Sequence, residues 1–302
     1  MKLSAVRKLL LLFVVATVLL VGWNLSQRHG DGFLHVIFLD VGQADSCVIE
    51  TPSGKVILVD TGGSGQEEGD DAGRRILTPY LQHKGIGHID AILLTHPHAD
   101  HIGGAASLLR RFDVGLLMDN GEPTRSPLVT QYREVAASRH VVCKSARRGQ
   151  SIVCGDGVIL EILGPTAAEA LELAETHGAA NNASLVARLR YGNTAFLLTG
   201  DAEGEEEADI LRSGLPLDCD VLKAGHHGSR TSTSPEFLSR AHPRDAVISV
   251  GAHNLYGHPS GEVLTRLRDS RIHIYRTDLT GAVLCTSDGI VIRTQTMHSP
   301  AP

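Results

Sequence analysis

The chain has 302 residues, of which 42% are hydrophobic and 21% are charged, and its formal net charge is −6. This composition is typical of a folded domain with a sizeable core and excludes an extensively disordered chain. The negative charge argues against a surface that coats nucleic acid through a general excess of positive charge. A nucleic-acid substrate would therefore have to be bound by a local site.

A basic and then apolar segment opens the chain. Three basic residues within the first eight precede an apolar run over 9–23. The run is short for a spanning helix and well sized for a signal-peptide core. Because Trp23 and Asn24 stand where a cleavage site needs small residues, an uncleaved anchor is favoured. We expect residues 1–30 to anchor a catalytic body outside the membrane, a cleaved signal and secretion being the alternative.

Short strands and helices alternate from residue 33 onward, separated by turn-rich segments. One predicted strand ends at Leu94 and leads into a histidine-rich loop. Other strands are predicted over 34–39, 46–50, 55–59, 115–118, 158–163, 184–190, 194–199, 221–224, 246–250, 272–275, 281–285 and 290–294. Helices are predicted over 73–84, 105–111, 128–139, 167–175, 202–213, 235–240 and 260–269.

Helices interleaved with mostly antiparallel strands favour an α/β fold of four layers, αββα, in which two sheets lie between outer helices. One domain is expected over 31–296, because no internal repeat and no Pro/Ser-rich linker divides it. A loose tail is expected over 297–302. The glycine-rich acidic stretch 62–73 is expected to be a solvated turn, a mobile loop being the alternative.

The sequence THPHADHIGG over 95–104 follows the apolar end of a predicted strand. It contains four side chains that can bind a metal, namely His96, His98, Asp100 and His101. A strand that releases its ligands into a short loop can aim them at one point. Neutral imidazoles with a hard carboxylate suit zinc, or a similar divalent ion that keeps one position open for water. Gly103 and Gly104 then allow close backbone approach.

Two aspartates stand beside glycine at the ends of apolar strand patterns. Asp60, in VDTGG, can orient a metal-binding side chain from behind. Asp201, in LLTGD, has two carboxylate oxygens for two cations. Helix capping would be the better interpretation for either residue alone. With the histidine-rich loop present, we predict that Asp201 bridges metal ions.

Two later segments carry further histidines. In LKAGHHGS the adjacent His226 and His227 point in different directions, so one is expected to bind metal while the other contacts substrate or a ligand side chain. His258, in YGHPS, is a candidate metal ligand or a donor to a substrate oxyanion. Five cysteines without a C-x-x-C pair do not indicate a zinc knuckle. Buried free thiols are expected, a disulfide between Cys143 and Cys154 being the alternative.

These segments, in this order, resemble the metallo-β-lactamase superfamily. With HHGS and YGHPS included, residues 33–293 are similar to the C-terminal hydrolase domain of the DNA-uptake competence protein ComEC. The resemblance implies two divalent ions, expected to be zinc with manganese as the alternative. It implies that His96 and His98 hold the first ion, Asp100 and His101 the second, with Asp201 as the bridge. One histidine of the 226/227 pair completes the site, and we predict His226, with His227 as the alternative.

Two departures from the family pattern bear on these expectations. The superfamily usually supplies another histidine before the bridging aspartate, where this chain has Asn181 and Asn182. This predicts either a weakly held first metal or a site that works with one ion. ComEC also carries its hydrolase domain behind a multi-spanning channel region. The single short apolar segment here predicts a separate DNA-channel protein as partner.

The residues predict a metal-dependent hydrolase, and the resemblance implies a phosphodiesterase or nuclease linked to DNA uptake, which acts on single-stranded DNA or another phosphodiester. Paired divalent cations suit in-line displacement at phosphorus. Asp100 is expected to orient the attacking hydroxide, with His227 and His258 as further catalytic groups. The alternatives are another metallo-hydrolase, of the phosphorylcholine esterase, lactonase or β-lactamase type, and a non-catalytic scaffold of a competence machine.

Overall fold

The computed structural model describes residues 30–65, 70–169 and 180–298, together with positions 8, 12–15 and 17. In these residues the strands are Leu34–Phe38 (β1), Cys47–Glu50 (β2), Val56–Val59 (β3), His88–Leu94 (β4), Asp113–Asp119 (β5), Val142–Ser145 (β6), Ser151–Gly155 (β7), Val158–Gly164 (β8), Val186–Tyr191 (β9), Thr194–Leu198 (β10), Val221–Lys223 (β11), Asp245–Ile248 (β12), His273–Arg276 (β13), Val283–Ser287 (β14) and Ile292–Thr296 (β15).

The α-helices of the described residues are Thr78–His83 (α1), Ala99–Ile102 (α2), Ala105–Arg111 (α3), Pro127–Ser138 (α4), Gly204–Ser213 (α5), Pro235–Ala241 (α6), Gly261–Asp269 (α7) and Thr277–Thr280 (α8). A π-helical turn, Gly73–Leu77, leads into α1. Two 3₁₀ turns lie at Ala180–Ala183 and Gly225–Gly228.

The strands form two mixed sheets. The eight-stranded sheet has the order β15-β14-β1-β2-β3-β4-β5-β6, and the seven-stranded sheet has the order β13-β12-β11-β10-β9-β8-β7. Strands β3 to β6 are parallel, as are β10 to β13, whereas the remaining neighbours are antiparallel. The expectation of mostly antiparallel strands was wrong for the parallel part of each sheet, where helices make the crossovers.

Successive side chains along each strand point to opposite faces of the sheet and so belong to different cores. Val36 and Phe38 of β1 pack with Phe196 and Leu198 of β10 in a core between the two sheets. Ile37, which points the other way, belongs to a second core beneath the helices of the eight-stranded sheet. A third core lies between the seven-stranded sheet and its own helices. The predicted α/β class and the four-layer αββα order are therefore confirmed.

The predicted helices and strands agree closely with the observed ones, although the four-residue helices α2 and α8 were not predicted. Two strands were also missed. These are β6 and β7, which lie at the edges of the two sheets. All four residues of β6 are exposed, and β7 buries only Cys154 of its five residues. An edge strand that contributes little to a core has no apolar alternation by which the sequence could reveal it.

Several predictions fall wholly or partly outside the described residues. They concern most of the N-terminal anchor over 1–30, the middle of the 62–73 stretch, the helix over 167–175 beyond residue 169, and the end of the tail over 297–302. Among the described residues, none of the helices combines the length and apolar character that crossing a bilayer requires. All five cysteines are free thiols, four of them buried, so Cys143 and Cys154 do not form a disulfide.

Candidate metal centre

The carboxyl ends of parallel strands in both sheets converge on one edge of the sandwich. In the eight-stranded sheet, β3 is followed by Asp60 and β4 by the histidine-rich segment 95–101, the end of which lies in helix α2. In the seven-stranded sheet, β10 is followed by Asp201 and β11 by the turn Gly225–Gly228. This is the edge where open parallel sheets usually bind ligands, because the loops there meet without obstruction.

The histidine-rich loop is clamped against the turn that follows β3. A Cβ atom added at Gly104 would lie 2.4 Å from the Thr61 carbonyl oxygen, so only glycine allows this approach. The Thr61 backbone nitrogen and hydroxyl both donate to the carbonyl oxygen of His101, at 2.7 and 2.9 Å. The predicted role of Gly103 and Gly104 in close backbone approach is confirmed, since a Cβ at Gly103 would also clash with backbone.

His101 is held between two aspartates. Its Nδ1 atom lies 2.8 Å from Asp60 Oδ2, and its Nε2 atom lies 3.2 Å from Asp201 Oδ2. Asp60 also accepts from the backbone nitrogen and hydroxyl of Thr95, each at 2.8 Å. Asp60 thereby fixes the ring of His101 from behind and directs Nε2 toward Asp201, the role that the sequence analysis had ranked below helix capping for Asp60.

One oxygen of Asp201 lies at the centre of four imidazoles. The Nε2 atoms that surround Asp201 Oδ2 are those of His101 at 3.2 Å, His227 at 3.6 Å, His226 at 3.7 Å and His96 at 4.0 Å. Asp100 completes one possible ligand group with His101, Asp201 and His227, because their ligand atoms all lie within 4.8 Å of one another. The arrangement is a compact set of nitrogen and oxygen donors.

These donors fit a divalent cation. His101 Nε2 and Asp201 Oδ1 are buried and make no hydrogen bond among the described residues. A buried polar atom without a partner costs about 1–3 kcal/mol, and coordination of a cation would remove that cost at the nitrogen. Imidazole and carboxylate are the ligand types of zinc and related divalent ions.

His96 and His98 form the other side of the site. His96 Nδ1 lies 3.1 Å from the Thr95 hydroxyl and 3.3 Å from the Ser184 hydroxyl, so its Nε2 atom points into the site. That Nε2 atom lies 2.9 Å from His98 Nδ1, close enough for both nitrogens to contact one ion. His96 is buried, whereas His98 lies exposed at the entrance.

The turn Gly225–Gly228 delivers both of its histidines to the site. His226 and His227 have φ values of 45° and 53°, a left-handed conformation that costs non-glycine residues energy and is common at functional sites. His227 Nδ1 donates to the Ser249 carbonyl oxygen at 2.9 Å, and its Nε2 lies 3.2 Å from Asp100 Oδ2. The compact ligand group contains His227, whereas His226 was predicted as the ligand; that choice stays a prediction.

Burial and charge set the protonation of these groups. Burial lowers the pKa of His96 well below its usual value, and His101 lowers it further, which keeps His96 neutral and able to bind metal. Burial would also lower the pKa of His227, but Asp201 and Asp45 raise it to about 10. Without a metal, protonated imidazole therefore balances the carboxylates, and a bound cation would displace that proton.

Two buried charged residues at the site were missed by the sequence analysis. The Lys223 ammonium is in contact with Asp45, donates to the Gly200 carbonyl at 2.8 Å and lies 3.7 Å from Asp201 Oδ1. Burial alone would raise the pKa of Asp45, but Lys223 and then His227 lower it to about 2. The available signals were a lysine inside an apolar strand and an aspartate after the glycine of LDVGQAD.

The two asparagines that replace a family histidine lie beside the site. Asn182 Oδ1 accepts from the backbone nitrogen of Glu203 at 3.1 Å. Asn181 Nδ2 lies 3.5 Å from Glu203 Oε1 and 3.4 Å from His226 Nδ1. Glu203, also missed, contacts His226 Nδ1 at 2.8 Å. The asparagine pair thus supports His226 through Glu203.

His258 lies at the rim of the site. Its ring centroid is 5.6 Å from that of His226, and its Nδ1 atom is buried without a hydrogen-bond partner among the described residues. Burial lowers the pKa of His258, and His226 and His227 lower it further. His258 is placed to contact a substrate bound between the two loops, while the cluster around Asp201 lies deeper.

The Lactamase_B family, described as the metallo-beta-lactamase superfamily, matches residues 39–253. This match spans more than half of the chain and includes every residue of the cluster around Asp201. The chain therefore belongs to the metallo-β-lactamase superfamily, whose fold implies binding of divalent metal ions.

Curated relatives of the chain include proteins named for competence and recombination. The chain is 33% identical to ComE operon protein 3 of Bacillus subtilis over 82% of its own length and 32% of that protein. It is 33% identical to Recombination protein 2 of Haemophilus influenzae and to Competence protein ComA of Neisseria gonorrhoeae, over 81% of this chain and 28% or 31% of theirs. The chain thus spans about a third of these relatives.

Solved structures show the same fold at low identity. The metallo-beta-lactamase fold protein YhfI of Bacillus subtilis has a TM-score of 0.54 and 11% identity, over 84% of this chain and 100% of that one. CmlA of Streptomyces venezuelae, a diiron beta-hydroxylase, has a TM-score of 0.52 and 13% identity, over 87% and 54%. These likenesses establish the fold, and their chemistry is not carried over.

Proposed function

We propose that this protein is a metal-dependent phosphodiesterase that cleaves single-stranded DNA in a DNA-uptake system. The observation that supports this proposal most is the single carboxylate oxygen of Asp201 with four imidazole nitrogens 3.2 to 4.0 Å away. Such a centre suits in-line displacement at phosphorus. The names of the competence relatives support nucleic acid as the substrate.

We assign the ligands by position in the cluster. His96 and His98 would hold one ion, Asp100 and His101 the other together with a histidine of the 226/227 pair, and Asp201 would contact both. Zinc is proposed, with manganese as the alternative. Two ions are proposed; a site with one ion is the alternative, because Asn181 supports His226 where the family usually has a third histidine ligand.

Bound divalent ions supply charge that polarises a phosphoryl oxygen and lowers the pKa of a bound water. The protein residues orient the reacting groups. Asp100 is half-buried and its Oδ2 atom faces His227 Nε2 at 3.2 Å, a position from which it can align the nucleophile and accept its proton. His258, at the rim, would donate to a substrate oxygen as negative charge develops there.

We further propose that residues 1–30 anchor the protein in the membrane with the metal centre on the extracytoplasmic side, secretion being the alternative. A separate channel protein would then receive the strand that this enzyme processes. Sedimentation of the full chain with membranes, and its digestion by protease added to spheroplasts, would support this topology. Protection of the body in intact spheroplasts would refute it.

A substrate screen tests the proposed reaction. The purified full chain should cleave single-stranded DNA, or a small phosphodiester, faster than it cleaves nitrocefin, a lactone or a phosphorylcholine ester. Asp100→Asn should reduce this activity by about two or more orders of magnitude. Asp113→Asn, at a remote aspartate paired with His88, is the matched control and should have no effect.

Other outcomes of the screen identify the alternatives. Preference for a lactone, a β-lactam or a phosphorylcholine ester would assign the site to another metallo-hydrolase type. Complete inactivity with metal bound would favour the non-catalytic scaffold. Unchanged phosphodiester turnover in Asp100→Asn would remove Asp100 from its proposed role while leaving the reaction class intact.

A further inference from the structure

The loop 251–259, which carries His258, presents two large apolar side chains to solvent beside the metal centre. Leu255 is 99% exposed and Tyr256 is 73% exposed. These two consecutive side chains at the entrance of the site are available to contact a bound ligand.

The loop is held in a defined shape. Asn254 Nδ2 donates to the carbonyl oxygens of Gly251 and His258, at 3.0 and 2.6 Å. Asn254 Oδ1 accepts from the backbone nitrogens of Tyr256 and His258, at 3.2 and 3.0 Å. One side chain thus braces both ends of the turn that carries Tyr256. The exposure of Tyr256 is therefore a property of an ordered turn.

The base of the loop is fixed to the body near the metal centre. The Gly251 backbone nitrogen donates to Gln43 Oε1 at 3.0 Å, and a Cβ atom at Gly251 would lie 2.5 Å from the Gln43 nitrogen. Gln43 is two residues before Asp45, the partner of Lys223. The loop and the site consequently keep a constant separation.

Rings connect the exposed tyrosine to the metal centre. Tyr256 is stacked on His258 with an interplanar angle of 14° and a centroid distance of 5.9 Å. His258 is 5.6 Å from the ring of His226, whose Nε2 atom is 3.7 Å from Asp201 Oδ2. The rings of His226, His258 and Tyr256 therefore form a series of contacts from the cluster to the solvent-exposed surface.

We propose that Tyr256, supported by His258 and flanked by Leu255, is a stacking platform for one nucleobase of a single-stranded substrate. This inference rests on the proposed function and adds how the strand is held. A phosphate at the metals and a base on Tyr256 would fix the strand at two points. Stacking on an aromatic ring is sequence-tolerant because every base has a π face. One tyrosine and one leucine offer too little apolar surface for stable membrane binding.

The experiment compares two oligonucleotides with the same backbone, one of deoxythymidine and one made of abasic sites. Binding is measured by fluorescence anisotropy with the metal-loaded full chain carrying Asp100→Asn, which preserves the strand. Adding Tyr256→Ala should weaken binding of the thymidine strand about tenfold or more and leave abasic binding unchanged. Tyr256→Trp should retain binding of the thymidine strand. Ile290→Ala is the matched control, because Ile290 is also 73% exposed and lies in a distant hairpin.

Each contrary result has a separate meaning. If Tyr256→Ala weakens binding of both oligonucleotides equally, or of neither, the stacking platform is refuted. The proposed hydrolase is unaffected by that result. Failure of the Tyr256-containing chain to bind either strand would refute the proposed substrate and the platform with it. If Tyr256→Ala binds both oligonucleotides normally but no longer co-sediments with anionic vesicles, Leu255 and Tyr256 contact a membrane instead. If the variant binds normally but no longer forms a dimer, they contact a second copy of the chain.

Discussion

Asp60 and Asp201 stand at equivalent places in the two sheets, yet the protein surrounds them in different ways. Each follows an apolar strand, β3 or β10, and each contacts His101. Asp60 contacts the Nδ1 side of the ring and is satisfied by hydrogen bonds from Thr95. Asp201 contacts the Nε2 side, where three further imidazoles gather.

The pKa shifts of the two carboxyls have opposite signs because the two buried groups have different numbers of cationic neighbours. Burial raises the pKa of Asp60, and its single imidazole partner only partly reverses this effect. Burial would raise the pKa of Asp201 as well, but His101, His227 and Lys223 together hold it well below the usual value. Surroundings that favour a negative charge also favour a cation beside it. An aspartate that follows an apolar strand and adjoins glycine thus has two roles in this protein. Asp60 positions His101, and Asp201 is placed to contact metal.

The largest effect should come from Asp201→Asn. The change removes the charged oxygen that faces four imidazoles, so we expect hydrolysis to fall by about three orders of magnitude or more. Turnover of the preferred phosphodiester under saturating metal measures it. Retention of more than a tenth of the activity would contradict the role assigned to Asp201. Asp113→Asn again provides the control for loss of a carboxylate elsewhere.

Asp60→Asn should have an intermediate effect. An amide can still accept from Thr95 but no longer carries the charge that orients His101, so metal affinity should fall about 10- to 100-fold. Competition with a chromogenic chelator measures the affinity. Excess metal should restore much of the activity in Asp60→Asn and little of it in Asp201→Asn. Equal rescue of both variants would erase the distinction between the two aspartates.

Glu206 is a third buried carboxylate, and its Oε1 atom makes no hydrogen bond among the described residues. Unlike Asp201, it forms no ion pair with a described histidine and is paired with Arg148, whose Nη2 atom lies 3.8 Å from Oε1. Burial and then the neighbouring Glu169 raise its pKa from 4.5 to about 8, with Arg148 opposing. The folded state thus favours the protonated acid. Its stability contribution is fully present below pH 4.5 and is lost as pH rises through 8.

We therefore expect Glu206→Gln to raise the free energy of unfolding above pH 8. The gain should be a few kcal/mol at most, because one unit of pKa shift corresponds to about 1.4 kcal/mol. Near pH 4.5 the variant and the unmodified protein should unfold alike. Denaturant unfolding at the two pH values measures this, and metal content should stay the same. A loss of metal in Glu206→Gln would show that a buried carboxylate without a histidine partner is enough to mark a metal site.

The sequence was sufficient for the parts of the site that are contiguous. Loop 95–104 holds its ligands within six residues, and apolar alternation located the strands that deliver them. Asp60 and Asp201 were found because strand and glycine frame them. These features depend on local pattern, which a single sequence contains.

The remaining features depend on tertiary contacts. Lys223 and Asp45 pair only because β11 of one sheet faces the loop after β1 of the other. A left-handed turn between two glycines decides where His226 and His227 point. Because the two residues are both histidine, the sequence does not indicate which of them faces the metal. Glu203 joins the site through asparagines about twenty residues away. None of these pairings has a sequence spacing that would signal it.

Metal content shows whether a cation belongs beside Asp201. The full chain, Asp60→Asn and Asp201→Asn are purified without chelator and analysed for zinc, manganese and iron. We expect about two divalent ions per unmodified chain, one being the partial alternative, with less metal in Asp60→Asn and least in Asp201→Asn. Absence of any stoichiometric divalent metal from the unmodified chain would contradict the account.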